Sequence, residues 1–198
     1  MNIGIDIDDT ISETFETLLP YSQKYTIEDL KRQSNISIDG DCTNHLYIEN
    51  ANGWNDIETR NFWERYYGDI LKNVNIKKFA PEVINKLKQN GHNIYLITAR
   101  WDIPNSDIKK ITEKWLADNN IVYDRMFMGA EEKLKLVKEN NVDIFIDDSF
   151  NNCKDVVENT NSKVYLMTTM VNEKLKHKDI KRVYSWPEIY DLINKEEN

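Results

Sequence analysis

The chain is poor in cysteine and histidine. Its 198 residues include two cysteines, Cys42 and Cys153, and three histidines, His45, His92 and His177. Two distant cysteines exclude a disulfide framework, and neither sits in the paired spacing of a metal site. The histidines are scattered, so a His-based metal centre is not expected. Ordinary surface or core positions account for all five, and free thiols fit a reducing cytoplasm. Long apolar runs are absent: no stretch approaches the roughly 20 residues of a spanning helix. The start, Met1-Asn2-Ile3-Gly4-Ile5-Asp6, reaches its third acid by Asp9 and does not read as a signal peptide. Basic charge is also short. Acidic residues outnumber basic ones 34 to 26, a net charge of -8. That excludes a protein that tracks polymeric nucleic acid, which needs a basic stripe along the phosphates. A single small phosphorylated partner held through a metal remains compatible.

What is present is a soluble globular composition, 40% apolar and 30% charged. Short apolar runs predict strands over Asn2 to Ile7, Asn93 to Ile97, Val142 to Ile146 and Lys163 to Met167, with a weaker one at Arg125 to Met128. Amphipathic spacing predicts helices over Pro81 to Asn90, Ser106 to Asn119 and Glu131 to Asn140. Strand followed by helix, repeated, implies an α/β fold: a Rossmann-like parallel sheet with helices on both faces. Residues 14–76 break the rhythm with a helix-like, aromatic-rich stretch and no strand of the repeating kind. They are expected to form a small helical cap inserted after the first strand, leaving 1–13 and 77–198 as the core. Asp39-Gly40-Asp41 and Asn50-Ala51-Asn52-Gly53 are expected loops inside the cap.

Four small groups fall at the predicted C-terminal ends of strands, the edge where open α/β sheets bind ligands. They are Asp6-Ile7-Asp8-Asp9-Thr10, then Thr98-Ala99-Arg100, then Lys133, then Asp147-Asp148-Ser149. Three carboxylates within four positions repel one another unless something neutralises them, and a hard cation such as Mg²⁺ takes oxygen ligands. One such cluster alone reads as solvated acids capping a helix. Two clusters, each ending an apolar strand, with Thr98 and Lys133 in register, read as a metal site beside a phosphate site. A Thr hydroxyl, the Ala99 amide and a Lys ammonium all donate to phosphate oxygens.

In chain order these groups resemble the motifs of the haloacid dehalogenase superfamily of phosphohydrolases. Asp6-Ile7-Asp8-Asp9-Thr10 matches the first motif, Thr98 the second, Lys133 the third and Asp147-Asp148 the fourth. A closer resemblance is to the 5′-nucleotidase, deoxy, type C family, which includes 5′(3′)-deoxyribonucleotidases. That family carries a helical cap between its first two motifs, and Asn61-Phe62-Trp63-Glu64 is similar to its aromatic cap segment. The resemblance implies an Mg²⁺-dependent phosphomonoester hydrolase, with a nucleoside monophosphate as the first substrate to test. It implies Asp6 as nucleophile and Asp8 as general acid and then base. It implies metal ligation by Asp6, the Asp8 carbonyl and Asp148, with Asp147 acting through water or Lys133. Asp9, Thr98, Ala99 and Lys133 would hold phosphate, Lys133 being preferred to its neighbour Lys135. Phe62, Trp63 and Arg100 are candidates for substrate or cap contact. A phosphatase for another small metabolite, such as a sugar phosphate, is the alternative. A signalling receiver fits poorly, because a receiver's Lys follows its last acidic group, whereas Lys133 precedes Asp147-Asp148.

Overall fold

A computed structural model describes residues 1–35, 47–104 and 106–196. Six parallel strands form one sheet in the order β3-β2-β1-β4-β5-β6. They are β1 (Asn2–Ile5), β2 (Asn93–Ile97), β3 (Arg125–Phe127), β4 (Ile144–Asp147), β5 (Lys163–Met167) and β6 (Ile180–Val183). The expected α/β architecture is therefore present, with β1 at the centre of the sheet between β2 and β4.

Alternation along β1 explains its place. Ile3 and Ile5 are fully buried on one face, packed with Ile84 and Leu87 of α4 (Ala80–Gln89), Leu116 of α5 (Ile108–Asp118) and Ile189 and Ile193 of α8 (Trp186–Glu196). Gly4 faces the other side, where a Cβ would stand 3.1 Å from both Ile97 and Val142 side chains. A side chain there would push the central strands apart. That second face is covered by Val137 of α6 (Lys133–Glu139) and by Cys153 and Val156 of α7 (Phe150–Asn159). Helices thus lie on both faces, as right-handed crossovers between parallel strands require.

β1 stops two residues short of the expected Ile7. The chain turns back after Ile7, whose carbonyl accepts hydrogen bonds from the Ile11 and Ser12 amides. Asp9 sits inside this turn with φ 56°, a left-handed conformation that Asp tolerates better than most residues.

Between β1 and β2 the chain forms α1 (Thr14–Lys24), a π-helical segment (Tyr25–Asp29), α2 (Tyr47–Asn52) and α3 (Asp56–Asn73). These have an apolar cluster of their own, built from Leu18, Tyr25, Ile48, Trp54, Phe62, Tyr66 and Ile70. The outgoing and returning segments meet in a bridge between Ser12 and Ile76. α3 starts at a reciprocal capping box: Asn55 accepts from the Glu58 amide, and the Glu58 side chain accepts from the Asn55 amide. The loop expected at Asn50-Ala51-Asn52-Gly53 is corrected. Asn50 to Asn52 are helical, the Asn52 side chain donating to the Ile48 carbonyl, and only Gly53, at φ 62°, leaves the helix. Asn-rich sequence reads as loop, yet Gly in the left-handed region is also how helices end. The other expected loop, Asp39-Gly40-Asp41, lies outside the described residues. No helix among the described residues is long and apolar enough to cross a membrane.

Candidate active site

The C-terminal ends of β1, β2 and β4 bring three of the four groups to one edge, and the start of α6 adds the fourth. Lys133, at the first position of α6, is buried and reaches between two strands. Its Nζ donates to Asp6 Oδ1 at 2.5 Å and to Asp147 Oδ2 at 2.8 Å. Lys135 instead lies on the exposed side of α6, near Glu139. Burial alone would strip the Lys133 proton, but the Asp147 and Asp6 charges raise its pKa well beyond the ordinary lysine range.

Carboxylate oxygens of Asp6, Asp147 and Asp148 lie within 4.8 Å of one another. Burial pushes the Asp6 carboxyl up to about 7 against the pull of Lys133, and Asp147 and Asp8 add to the rise. Burial also raises Asp148 well above the usual carboxylate range, with further pushes from Asp9, Asp147 and Asp6. One lysine does not balance this negative charge. All-oxygen donors in excess of their cations are the donor set that suits a hard divalent ion. The three do not offer themselves equally. Asp147 Oδ1 accepts from the Ser149 amide, and its Oδ2 accepts from Lys133 and Asn152. Asp6 and Asp148 therefore carry the freer oxygens, and Asp147 acts as the anchor of Lys133.

Protonated carboxyls favour the metal-free fold at low pH. Because the Asp6 pKa is raised on folding, its share of that contribution is lost as pH rises through about 7. A cation that replaces those protons should then stabilise the protein most where the carboxyls are ionised. Mg²⁺ is expected to raise the melting temperature clearly at about pH 8 and little at about pH 5. Equal shifts in thermal scans at both pH values would count against ion binding by these carboxylates.

Asp8 stands apart from that cluster. Arg100 grips it with both arms, Nε to Oδ2 at 2.9 Å and Nη2 to Oδ1 at 2.8 Å, and Thr14 donates to Oδ1 at 2.6 Å. Burial acts to raise its pKa, but the Arg100 charge and hydrogen bonds more than offset this and leave it lowered. Arg100 itself is buried, with Nη1 on the Thr112 hydroxyl and its guanidinium 5.7 Å from the Trp115 ring centre. The structure thus corrects one expectation: Arg100 is buried and turned to Asp8 rather than to substrate, in an ion pair across 92 residues. The Asp8 side chain lies outside the three gathered carboxylates.

Thr98 is fully buried at the end of β2, and its Oγ1 accepts from the Arg100 amide. Ala99 is exposed between them. Asp9 turns its carboxylate to the Phe15 amide at the start of α1, at 2.9 Å. Phe62 is a further correction: it has no exposed surface and lies inside the aromatic cluster of the insertion, 4.7 Å from Trp54 and 5.1 Å from Trp63 between ring centres. Trp63 is half-buried, and its Nε1 donates to Glu49.

Several site residues gave no sequence signal. Asn152 reaches Asp147 from the first turn of α7, Thr14 reaches Asp8 from the first turn of α1, and Asn172 bonds the Asp148 and Met167 carbonyls.

The fold is that of hydrolases of the haloacid dehalogenase type. The whole chain has the fold of a haloacid dehalogenase-superfamily hydrolase from Geobacter sulfurreducens, with TM-score 0.64 and 16% identity, covering 96% of this chain and 98% of that one. A haloacid dehalogenase-like hydrolase from Streptococcus pneumoniae aligns with TM-score 0.63 and 12% identity, covering 97% of each. The chain is 29% identical over 196 residues to a nucleotidase of Clostridium acetobutylicum, covering 98% of this chain and 94% of the relative. A Bacillus subtilis protein provisionally named a nucleotidase is 28% identical over 199 residues, covering 98% and 94%. No family model matches the chain.

Proposed function

We propose that the protein hydrolyses phosphomonoesters with Mg²⁺, that its substrates are (deoxy)nucleoside monophosphates, and that the reaction passes through an aspartyl-phosphate on Asp6. One observation carries the reading: buried Lys133 joins Asp6 to Asp147 at the sheet edge, beside Asp148. Lys133 thereby fixes the Asp6 carboxylate, leaving its second oxygen to attack phosphorus. The P–O bond to the alcohol breaks, the alcohol leaves with a proton, and the carboxyl keeps the phosphoryl group. Water then attacks the same phosphorus and gives its proton to Asp8, whose ionised state suits a base. Giving the proton in the first step requires Asp8 to turn out of the Arg100 fork, protonated. Thr98, the Ala99 amide, the Asp9 backbone and Lys133 would hold the non-bridging oxygens. Asp6 and Asp148, with the Asp8 carbonyl, would hold Mg²⁺, which when bound supplies positive charge to the phosphate oxygens.

In this reading residues 14–76 form a cap on the core 1–13 and 77–198, and the cap excludes water. The setting is the reducing cytoplasm, which suits a buried free Cys153. The test is phosphate release from deoxynucleotides, ribonucleotides and sugar phosphates, each with Mg²⁺ and with EDTA. Expected is a preference for nucleotides that EDTA abolishes. A preference for sugar phosphates would assign the same chemistry to a different substrate, and release that survives EDTA would remove the metal from it.

A further inference from the structure

An exposed tryptophan is costly unless something uses it, because large aromatic rings gain most from burial. Trp101 is 47% exposed, yet it is held in place. Its ring stacks on Tyr67 of α3 at 4.8 Å between centres and 28° between planes. Trp63, one turn earlier on α3, packs against it edge-on at 6.1 Å. The Tyr67 hydroxyl also lies close to the Trp101 backbone. Burial raises the Tyr67 hydroxyl pKa beyond the ordinary range, and the Asp8 charge nearby adds to the rise. Arg100, the residue before Trp101, grips Asp8 with both arms, which sets the stack next to that carboxylate's partner. Other large exposed apolar side chains, such as Ile27, Ile57, Val122 and Tyr184, lie far along the chain from the four motifs, whereas Trp101 follows Arg100 directly.

We infer that Trp101, backed by Tyr67 and Trp63, is the platform on which the substrate's flat aromatic base stacks. It is thus a specificity-determining residue for phosphomonoesters whose alcohol carries a nucleobase. The inference rests on the nucleotidase reading and deepens it. It also replaces Phe62, which has no free surface. Stacking needs only a π-face, so the platform favours a base over a bare sugar without choosing strongly among bases.

The experiment compares kcat/KM for thymidine 5′-monophosphate with kcat/KM for ribose 5-phosphate in the wild type, Trp101→Ala and Trp101→Phe. Losing one stacking partner should lower this selectivity ratio about tenfold in Trp101→Ala, mostly through KM. Trp101→Phe, which keeps a ring, should restore most of it. An unchanged ratio in Trp101→Ala overturns the platform, whether both activities fall together, as loss of a packing contact would cause, or neither falls. Release from neither ester in the wild type contradicts the phosphohydrolase reading instead. The platform is then decided by titrating thymidine 5′-monophosphate against intrinsic fluorescence. Quenching that disappears in Trp101→Ala supports it, and quenching that persists, or is absent from the wild type, overturns it.

Discussion

Asp6→Asn protein is expected to fold and to release no measurable phosphate, a loss of at least about 10⁴-fold. The substitution keeps the shape of the side chain and removes the anion. An amide oxygen is a poor nucleophile for phosphorus, and its neutral group no longer pairs with Lys133. Folding should survive, because Lys133 keeps its second partner, Asp147. Asp6 is also raised by burial, so its charge is a burden on the fold that asparagine lifts. The variant should therefore melt no lower than the wild type in the absence of metal. Phosphate release by malachite green assay and a thermal scan on one preparation check both halves. Retained release would exclude Asp6 as nucleophile.

The second large effect falls on Asp8→Asn, with turnover lowered by about 10² to 10⁴-fold, the usual worth of a positioned acid or base. The loss should depend on the leaving group. An alkoxide needs a proton to depart, whereas the acetate leaving from acetyl phosphate does not. With acetyl phosphate, Asp8→Asn should load Asp6 at nearly the wild-type rate and then stall, because the attacking water has lost its base. Arg100 loses its carboxylate partner in this variant and becomes a buried cation held by Thr112 and Trp115. Some loss of stability is expected with it, since a buried charge without its partner is costly. A melting scan separates that loss from the kinetic one.

The fold was legible because its strands are apolar runs of the right length. β2 and β5 span the expected residues, and each carries four buried positions in a row, as a strand covered on both faces must. β6 was not legible: Lys181 and Arg182 interrupt a four-residue edge strand that has no strand beyond it. The acidic positions were legible because carboxylates crowded at the ends of apolar strands repel one another unless a cation gathers them, and Lys133 through the motif resemblance and its place at a helix start. Their division of labour was not. Nothing in Thr98-Ala99-Arg100 says that the arginine turns inward to Asp8 rather than outward to substrate, because the partner lies 92 residues away. Phe62 and Trp63 are neighbours in one aromatic run. Only the rotation of α3 buries the first and leaves the second half-open against Trp101.

The central claim is covalent: the phosphoryl group passes through the Asp6 carboxylate. Asp8→Asn protein mixed with acetyl phosphate and Mg²⁺, quenched in acid and digested with trypsin, puts that claim to mass spectrometry. Residues 1–24 leave as one peptide ending at Lys24. That peptide should gain the mass of one phosphoryl group, located at Asp6 by fragmentation and absent when Asp6→Asn is added to Asp8→Asn. A phosphoryl group at another residue, or an unmodified peptide from protein that still hydrolyses acetyl phosphate, would contradict it.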